Sequence, residues 1–173
     1  ARWDCDVVVL EVGLGGVDDA TNIIGTPLVS VITPIAMDHM GMLGNTLTEI
    51  AEKKAGIIKG SVAVSGFQDE KVRAVLKKQC EACGAVLLEE KQDIKIVESS
   101  LDGTQFIYKD HLKTTIHMLG KHQVENASVV WEICLALPDY LRPSEEMIRK
   151  GLEKAQWPGR FEIWEKNPVV VVD

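Results

Sequence analysis

The chain has 173 residues, of which 46% are hydrophobic and 26% charged, and its formal net charge is −7. This length is enough for one good core, or for one domain plus part of another, and the composition is that of a globular protein. The acidic balance argues against nucleic acid as a main partner, because phosphate binding requires a basic stripe. No apolar run approaches the length of a membrane span, so a membrane is not an expected partner either.

The cysteines favour a reducing compartment. Cys80 and Cys83 form a C-x-x-C pair that could hold zinc or carry out redox chemistry. However, both fall on one helical stripe with Val72 and Leu76, and no second pair supplies further metal ligands. We therefore interpret Cys80 and Cys83 as reduced thiols with a core role. Reduced thiols are typical of a reducing compartment, so we expect a cytoplasmic protein. We also expect a monomer.

The first pattern along the chain is a predicted buried strand over residues 7–12, which carries Glu11 near its end. A glycine-rich loop follows at residues 13–16, where the backbone can approach a ligand closely. In open α/β sheets, ligands lie beyond the carboxyl ends of such strands, which makes Glu11 a site candidate. A solvent-facing glutamate at a strand end is the alternative. NAD binding is rejected, because Asp18 stands where the dinucleotide fingerprint needs glycine.

A second polar pair follows the next predicted strand. Residues 28–33 form an apolar run that Pro34 ends, and Asp38 and His39 come shortly afterwards. A lone histidine is usually structural. An Asp-His pair after one strand, together with Glu11 after another, favours a metal or phosphate site.

Lys54 lies at an unusual place on the next predicted helix. The sequence Thr46-Leu47-Thr48-Glu49 is a capping box, which predicts that a helix begins there. Lys54 falls on the apolar stripe of that helix, whereas Lys53 lies off it. A lysine that faces a core is costly, so Lys54 must snorkel, pair with an anion, or be chemically altered.

The rest of the pattern predicts an α/β fold with a mostly parallel, Rossmann-like sheet and helices on both faces. Strands at residues 61–65 and 85–89 flank a helix at 68–83. Residues 93–118 predict a small antiparallel sheet, and a helix through residue 137 follows, with Asn126 and Val130 on one buried face. A helix that begins near Ser144, a turn at residues 157–160 and two strands complete the pattern.

Seven short blocks, spread over nearly the whole chain, match one family in order. They lie at residues 11–16, 19–22, 38–39, 43–44, 54–57, 120–127 and 157–160. In this order the blocks resemble folylpolyglutamate synthase/dihydrofolate synthase, of the Mur ligase superfamily. The first block is specific to the folate branch rather than the muramyl branch. The resemblance implies the central domain of a Mur-type ligase.

The implied activity is ATP-dependent amide formation in folate biosynthesis and one-carbon metabolism. ATP phosphorylates a carboxylate of folate or dihydropteroate, the amine of L-glutamate attacks the acyl phosphate, and a tetrahedral intermediate expels phosphate. Such chemistry needs metal and cationic groups to neutralise the phosphoryl oxygens. The resemblance therefore implies ATP and Mg²⁺ as cofactors and small molecules as the only partners.

The resemblance also implies roles for individual residues. Glu11 and His39 would bind Mg²⁺, and Lys54 matches the lysine that is carbamylated in this family, which converts it into an anionic metal ligand. His39, Lys54 and Arg160 would be the catalytic residues.

The implied ligand contacts lie in both halves of the chain. Asn126 would contact adenine, Arg160 the ATP phosphates, and Asp173 would begin the Asp-Gly-Ala-His-Asn block on the nucleotide side. Asp19 and Asn22 would lie towards the pterin pocket.

Some family features lie outside the chain or differ in it. The phosphate-binding loop is expected before Ala1 and the glutamate-binding domain after Asp173, while Val17 stands where many relatives have Arg or Lys. We therefore expect residues 1–173 to be an incomplete central ATP-binding domain that is inactive alone. Two alternatives are another Mur-type amino-acid ligase and a non-catalytic nucleotide-binding domain.

Overall fold

The computed structural model describes residues 4–37 and 40–173, which form two compact units. Unit 1 contains Ala1–Ala63 and Gln68–Leu87, and unit 2 contains Val64–Phe67 and Leu88–Asp173. No helix within the described ranges is both long and apolar enough to cross a membrane.

The first half of the chain builds a parallel sheet of three strands, in the order β1-β2-β3. A short 3₁₀ turn at Ala20–Ile23 precedes the first strand. The alternation of strands and helices confirms the predicted α/β class. The elements are β1 (Val29–Ile32), α1 (Met40–Leu43), α2 (Leu47–Ala55), β2 (Val62–Ser65), α3 (Glu70–Cys83) and β3 (Val86–Glu89).

Capping side chains set the starts of α2 and α3. The Oγ1 atom of Thr46 accepts a hydrogen bond from the amide of Glu49 at 3.2 Å, as the predicted capping box requires. The carboxylate of Glu49 reaches back to the amide of Asn45 at 2.6 Å rather than to that of Thr46. Asp69 caps α3 by accepting from the amide of Lys71 at 2.8 Å.

The core of unit 1 lies between α2 and α3. Ala51 and Ala55 of α2 pack with Val72, Leu76 and Cys80 of α3. Cys83 packs against this cluster from the edge, and all four cysteines have free thiols. The predicted core role of Cys80 and Cys83 is therefore confirmed.

The predicted buried strand at residues 7–12 is wrong. The structure assigns no strand there, Glu11 is exposed, and Val9 has 92% of its surface exposed. An apolar run predicts a buried strand only where a neighbouring strand pairs with it. The sheet order among the described residues begins at β1, so residues 7–12 do not pair with it as a strand.

Unit 2 contains the predicted antiparallel sheet, in the order β4-β5-β6, and a separate hairpin of β7 and β8. Ile94 pairs with Tyr108 across β4 and β5, and Thr104 pairs with Ile116 across β5 and β6. The elements are β4 (Ile94–Ser100), β5 (Gly103–Tyr108), β6 (Thr114–Ile116), α4 (Lys121–Ala136), α5 (Glu145–Lys154), β7 (Glu162–Lys166) and β8 (Val169–Val172).

Helix α4 packs on this sheet through a face other than the predicted one. Val124, Ala127 and Trp131 are buried in the core of unit 2, whereas Val130 is 37% exposed and Asn126 is half-buried. Trp131 buries more area than any other side chain of the helix could, so it sets which face turns inward. The stripe predicted from Asn126 and Val130 is therefore not the core face.

The core of unit 1 gives a test of the fold. Leu76→Ala should lower the free energy of unfolding by about 3 kcal/mol, because it leaves a cavity at a fully buried site. Leu28→Ala makes the same change at a site that is 45% exposed and should cost less than about 1 kcal/mol. Urea unfolding measures both. Equal losses in the two variants would contradict the assigned core.

Candidate functional site

The structure describes two of the three predicted metal ligands. Glu11 is exposed, and Lys54 is half-buried in the last turn of α2. Asp38 and His39 lie outside the described residues. Neither the metal role of His39 nor its catalytic role is tested, and both stay predictions.

The glycine-rich loop folds around the carboxylate of Asp19. One carboxylate oxygen accepts from the amide of Leu14 at 2.9 Å, and the other accepts from the amide and the hydroxyl of Thr21 at 2.9 and 2.6 Å. These hydrogen bonds, led by that from the Thr21 hydroxyl, lower the pKa of Asp19 from 3.8 to about 2. Asp19 is therefore a fixed anion at the start of the 3₁₀ turn.

Asn22 connects the same loop to the end of α2. Its Nδ2 atom donates to the carbonyl of Val17 at 3.1 Å and to that of Gly56 at 3.3 Å. The Nζ atom of Lys59 donates in turn to the carbonyls of Asn22 and Ile24, at 2.5 and 2.7 Å. Asn22 and Lys59 thus hold the loop against the chain that follows α2.

The loop and α2 approach each other so closely that two glycines are required. A Cβ atom on Gly16 would lie 2.7 Å from the carbonyl oxygen of Lys53 and 2.9 Å from that of Lys54. On Gly56 it would lie 2.1 Å from a methyl group of Val17. The amide of Val17 donates to the carbonyl of Lys53 at 3.1 Å within this contact. Substitution at either glycine would separate the loop from the helix.

A cavity of about 300 Å³ opens beside this loop. Residues 14–20 form one side, and Met42, Leu43 and Lys53 complete the lining. Asp19 lies on this lining, and its role in substrate binding stays a prediction. Lys53, which the sequence did not single out, also lines it. Lys53 lies off the apolar stripe of the predicted helix, and this was the only indication in the sequence that its side chain turns away from the core.

The predicted nucleotide contacts lie in unit 2. The guanidinium group of Arg160 lies 5.6 Å from the ring centre of Trp157 and borders a second cavity of about 300 Å³. The amide of Phe161 donates to the carboxylate of Asp173 at 3.1 Å, so Arg160 and Asp173 lie close in the fold. On α4, the Nδ2 atom of Asn126 donates to Gln123 at 3.4 Å.

The donor set of the predicted metal site fits Mg²⁺ through its oxygen atoms. Mg²⁺ prefers carboxylate oxygen, which Glu11 offers at an exposed position. The amine of Lys54 becomes an oxygen donor only as a carbamate. Across the described part of the chain, no three side chains of the types His, Cys, Asp and Glu come together as a metal site. Lys54 as a carbamate, and His39, are therefore needed to complete it.

The lowered pKa of Asp19 gives a stability prediction. Because the folded state lowers this pKa, the stabilisation by Asp19 is present above about pH 4 and disappears as the pH falls towards 2. Asp19→Asn should therefore be less stable than the parent chain at pH 7, and the difference should shrink below pH 4. Urea unfolding over this pH range measures the effect.

Asp18→Asn is the matched control, because it removes the same charge at the neighbouring exposed residue. Its difference from the parent chain should be small at pH 7. An Asp19→Asn variant as stable as the parent chain at pH 7 would contradict the assigned hydrogen bonds.

Comparison with known proteins identifies the family of this chain. The profile of the Mur ligase middle domain matches residues 1–134. The dihydrofolate synthase/folylpolyglutamate synthase of Bacillus subtilis is 37% identical over 97% of this chain and 41% of its own length. A folylpolyglutamate synthase from Lacticaseibacillus casei is 34% identical over the same shares.

Comparison with solved structures identifies the same group of synthases. A Mycobacterium tuberculosis folylpolyglutamate synthase complexed with ADP and AMPPCP has a TM-score of 0.80 and 30% identity, over 94% of this chain and 39% of that one. An FPGS–AMPPCP–folate complex has a TM-score of 0.81 and 31% identity, over 95% and 42%. The chain thus spans about two fifths of the length of these relatives. It belongs to the Mur ligase middle domain family, and its relatives are folylpolyglutamate and dihydrofolate synthases.

Proposed function

We propose that the chain is the central ATP-binding part of a ligase that joins L-glutamate to folate or dihydropteroate. One observation carries this proposal. The loop that holds Asp19 and Asn22 docks directly on the turn of α2 that holds Lys54, through the Val17–Lys53 and Asn22–Gly56 hydrogen bonds. Three residues with proposed substrate and metal roles therefore lie in one connected part of unit 1.

The pterin ring of the substrate is proposed to occupy the cavity beside residues 14–20. The volume of about 300 Å³ suits a bicyclic ring, and Leu14 and Leu43 give it apolar walls. Asp19 gives it a fixed negative charge. A related synthase binds AMPPCP and folate together, which supports the same two ligand classes here.

The nucleotide is proposed to contact unit 2. Arg160 is exposed on the turn after α5, where its guanidinium group can bind phosphate oxygens. Asn126 would bind the adenine ring, and Asp173 would lie on the phosphate side.

The reaction proposed for the parent enzyme has two transfers. The γ-phosphoryl group of ATP moves to a substrate carboxylate, which forms an acyl phosphate and ADP. The amine of glutamate then attacks the acyl carbon, an amide bond forms, and phosphate leaves. Mg²⁺, when bound by Glu11, His39 and carbamylated Lys54, would neutralise charge on the phosphoryl oxygens.

A calorimetric titration with Mg·ATP tests the nucleotide part of this proposal. The chain should bind Mg·ATP, and Glu11→Ala should weaken binding about tenfold, because a metal contact worth about 1.4 kcal/mol is lost. Glu81→Ala, which removes an exposed glutamate from α3, is the control and should leave binding unchanged. Absence of Mg·ATP binding would contradict a nucleotide site within these residues.

The modification of Lys54 has its own test. With ¹³C-labelled bicarbonate, the chain should give a carbamate resonance in the ¹³C NMR spectrum, because carbamylation would attach the labelled carbon to the amine of Lys54. Lys54→Arg should abolish this resonance. Lys53→Arg changes the neighbouring lysine in the same way and should leave it intact. A resonance that persists in Lys54→Arg would place the carbamate elsewhere.

A further inference from the structure

We propose that Lys53 is a ligand-binding residue of the cavity beside residues 14–20, where its ammonium group donates a hydrogen bond to the ring carbonyl oxygen of the pterin. This inference rests on the proposed function and assigns a new contact within it. Lys53 would then help to decide which pteridines the pocket accepts.

The position of Lys53 is fixed relative to the cavity. Its carbonyl accepts from the amide of Val17 at 3.1 Å, so its backbone is tied to the loop that also lines the cavity. Its Nζ atom donates to the carbonyl of Met42 at 2.8 Å, and this residue also lines the cavity. An ammonium group has three protons, so two remain for a ligand or for water.

The charges on the lining point to the kind of group that Lys53 would bind. Among the described residues of the lining, Lys53 is the only cation, whereas Asp18 and Asp19 are anions. Asp19 is held in place by Leu14 and Thr21 and can act only as an acceptor. The lining therefore offers a fixed acceptor and a cationic donor to the same ligand.

A pterin ring matches this pair. Its edge carries amino and ring N–H donors next to a carbonyl acceptor, so one edge can meet both a carboxylate and an ammonium group. Val17 also lines the cavity and adds an apolar side chain to it. A ring whose carbonyl oxygen is replaced by an amino group would set a donor against the ammonium of Lys53, at a cost typical of an unmade hydrogen bond.

A purely structural role for Lys53 is the competing explanation, since its hydrogen bond to Met42 also joins α2 to the end of α1. The two roles differ in one measurable way. A structural role would alter the binding of every pteridine alike. A contact with the carbonyl oxygen would alter the preference between the oxo ring and the amino ring.

The experiment measures dissociation constants of the chain for two probes, dihydropteroate and its counterpart with an amino group in place of the ring carbonyl. The parent chain should prefer dihydropteroate by about tenfold or more. Lys53→Met, which keeps an unbranched apolar stem but removes the ammonium group, should reduce this preference to less than about twofold. Lys53→Arg keeps a cationic donor and should retain most of it. Lys77→Met, which removes an exposed lysine from α3, should behave like the parent chain.

Each outcome has a distinct meaning. If the parent chain binds dihydropteroate and Lys53→Met keeps the full preference, the inference is overturned while the proposed function stands. If Lys53→Met binds both probes more weakly by the same factor, the inference is also overturned, and the structural role is favoured. If the parent chain binds neither probe, the proposed substrate pocket itself is overturned, and the inference with it.

Discussion

The hydrogen bond from the amide of Val17 to the carbonyl of Lys53 ties the candidate site together. The last carbonyls of a helix have no partners within the helix and must find them elsewhere. In α2 the glycine-rich loop supplies two of these partners, since Val17 donates to Lys53 and Asn22 donates to Gly56. The same contact satisfies the helix end, fixes the loop and forms one wall of the cavity. Loss of this contact would change all three at once.

This arrangement separates residues that shape the pocket from those that can bind a ligand. Asn22 uses its side-chain amide on two backbone carbonyls, and Lys59 uses its ammonium group on two more. Their role is therefore to hold the loop in position. Asp19 and Lys53 differ, because both lie on the cavity lining and carry charge. The sequence alone does not separate these two groups, because the fold decides which side chains bind backbone carbonyls and which line the cavity.

Local signals predicted much of the fold, while contacts between distant residues decided the rest. The capping box at Thr46 and the periodicity of α3 predicted those helices well, because caps and helical stripes depend on neighbours a few residues away. The buried strand at residues 7–12 was wrong because pairing needs a partner that an apolar pattern cannot supply. The role of Lys59 was not predicted for a similar reason, because the carbonyl of Asn22 that it binds lies 37 positions away in the sequence. The sequence thus singled out Asp19 and Lys54 as candidates, whereas the contacts of Lys53 and Lys59 became visible only in the structure.

The proposed role of Lys54 would link metal binding to a change in its own side chain. A half-buried ammonium group would repel Mg²⁺, whereas a carbamate attracts it, so the two forms of Lys54 have opposite effects on the proposed metal site. Carbamylation adds CO₂ to the neutral amine and releases a proton. Because binding equilibria are reciprocal, Mg²⁺ that favours the carbamate must itself bind more tightly to the carbamylated chain. In the proposed site, a lysine at this position would therefore make metal binding depend on CO₂, whereas a glutamate in its place would need none.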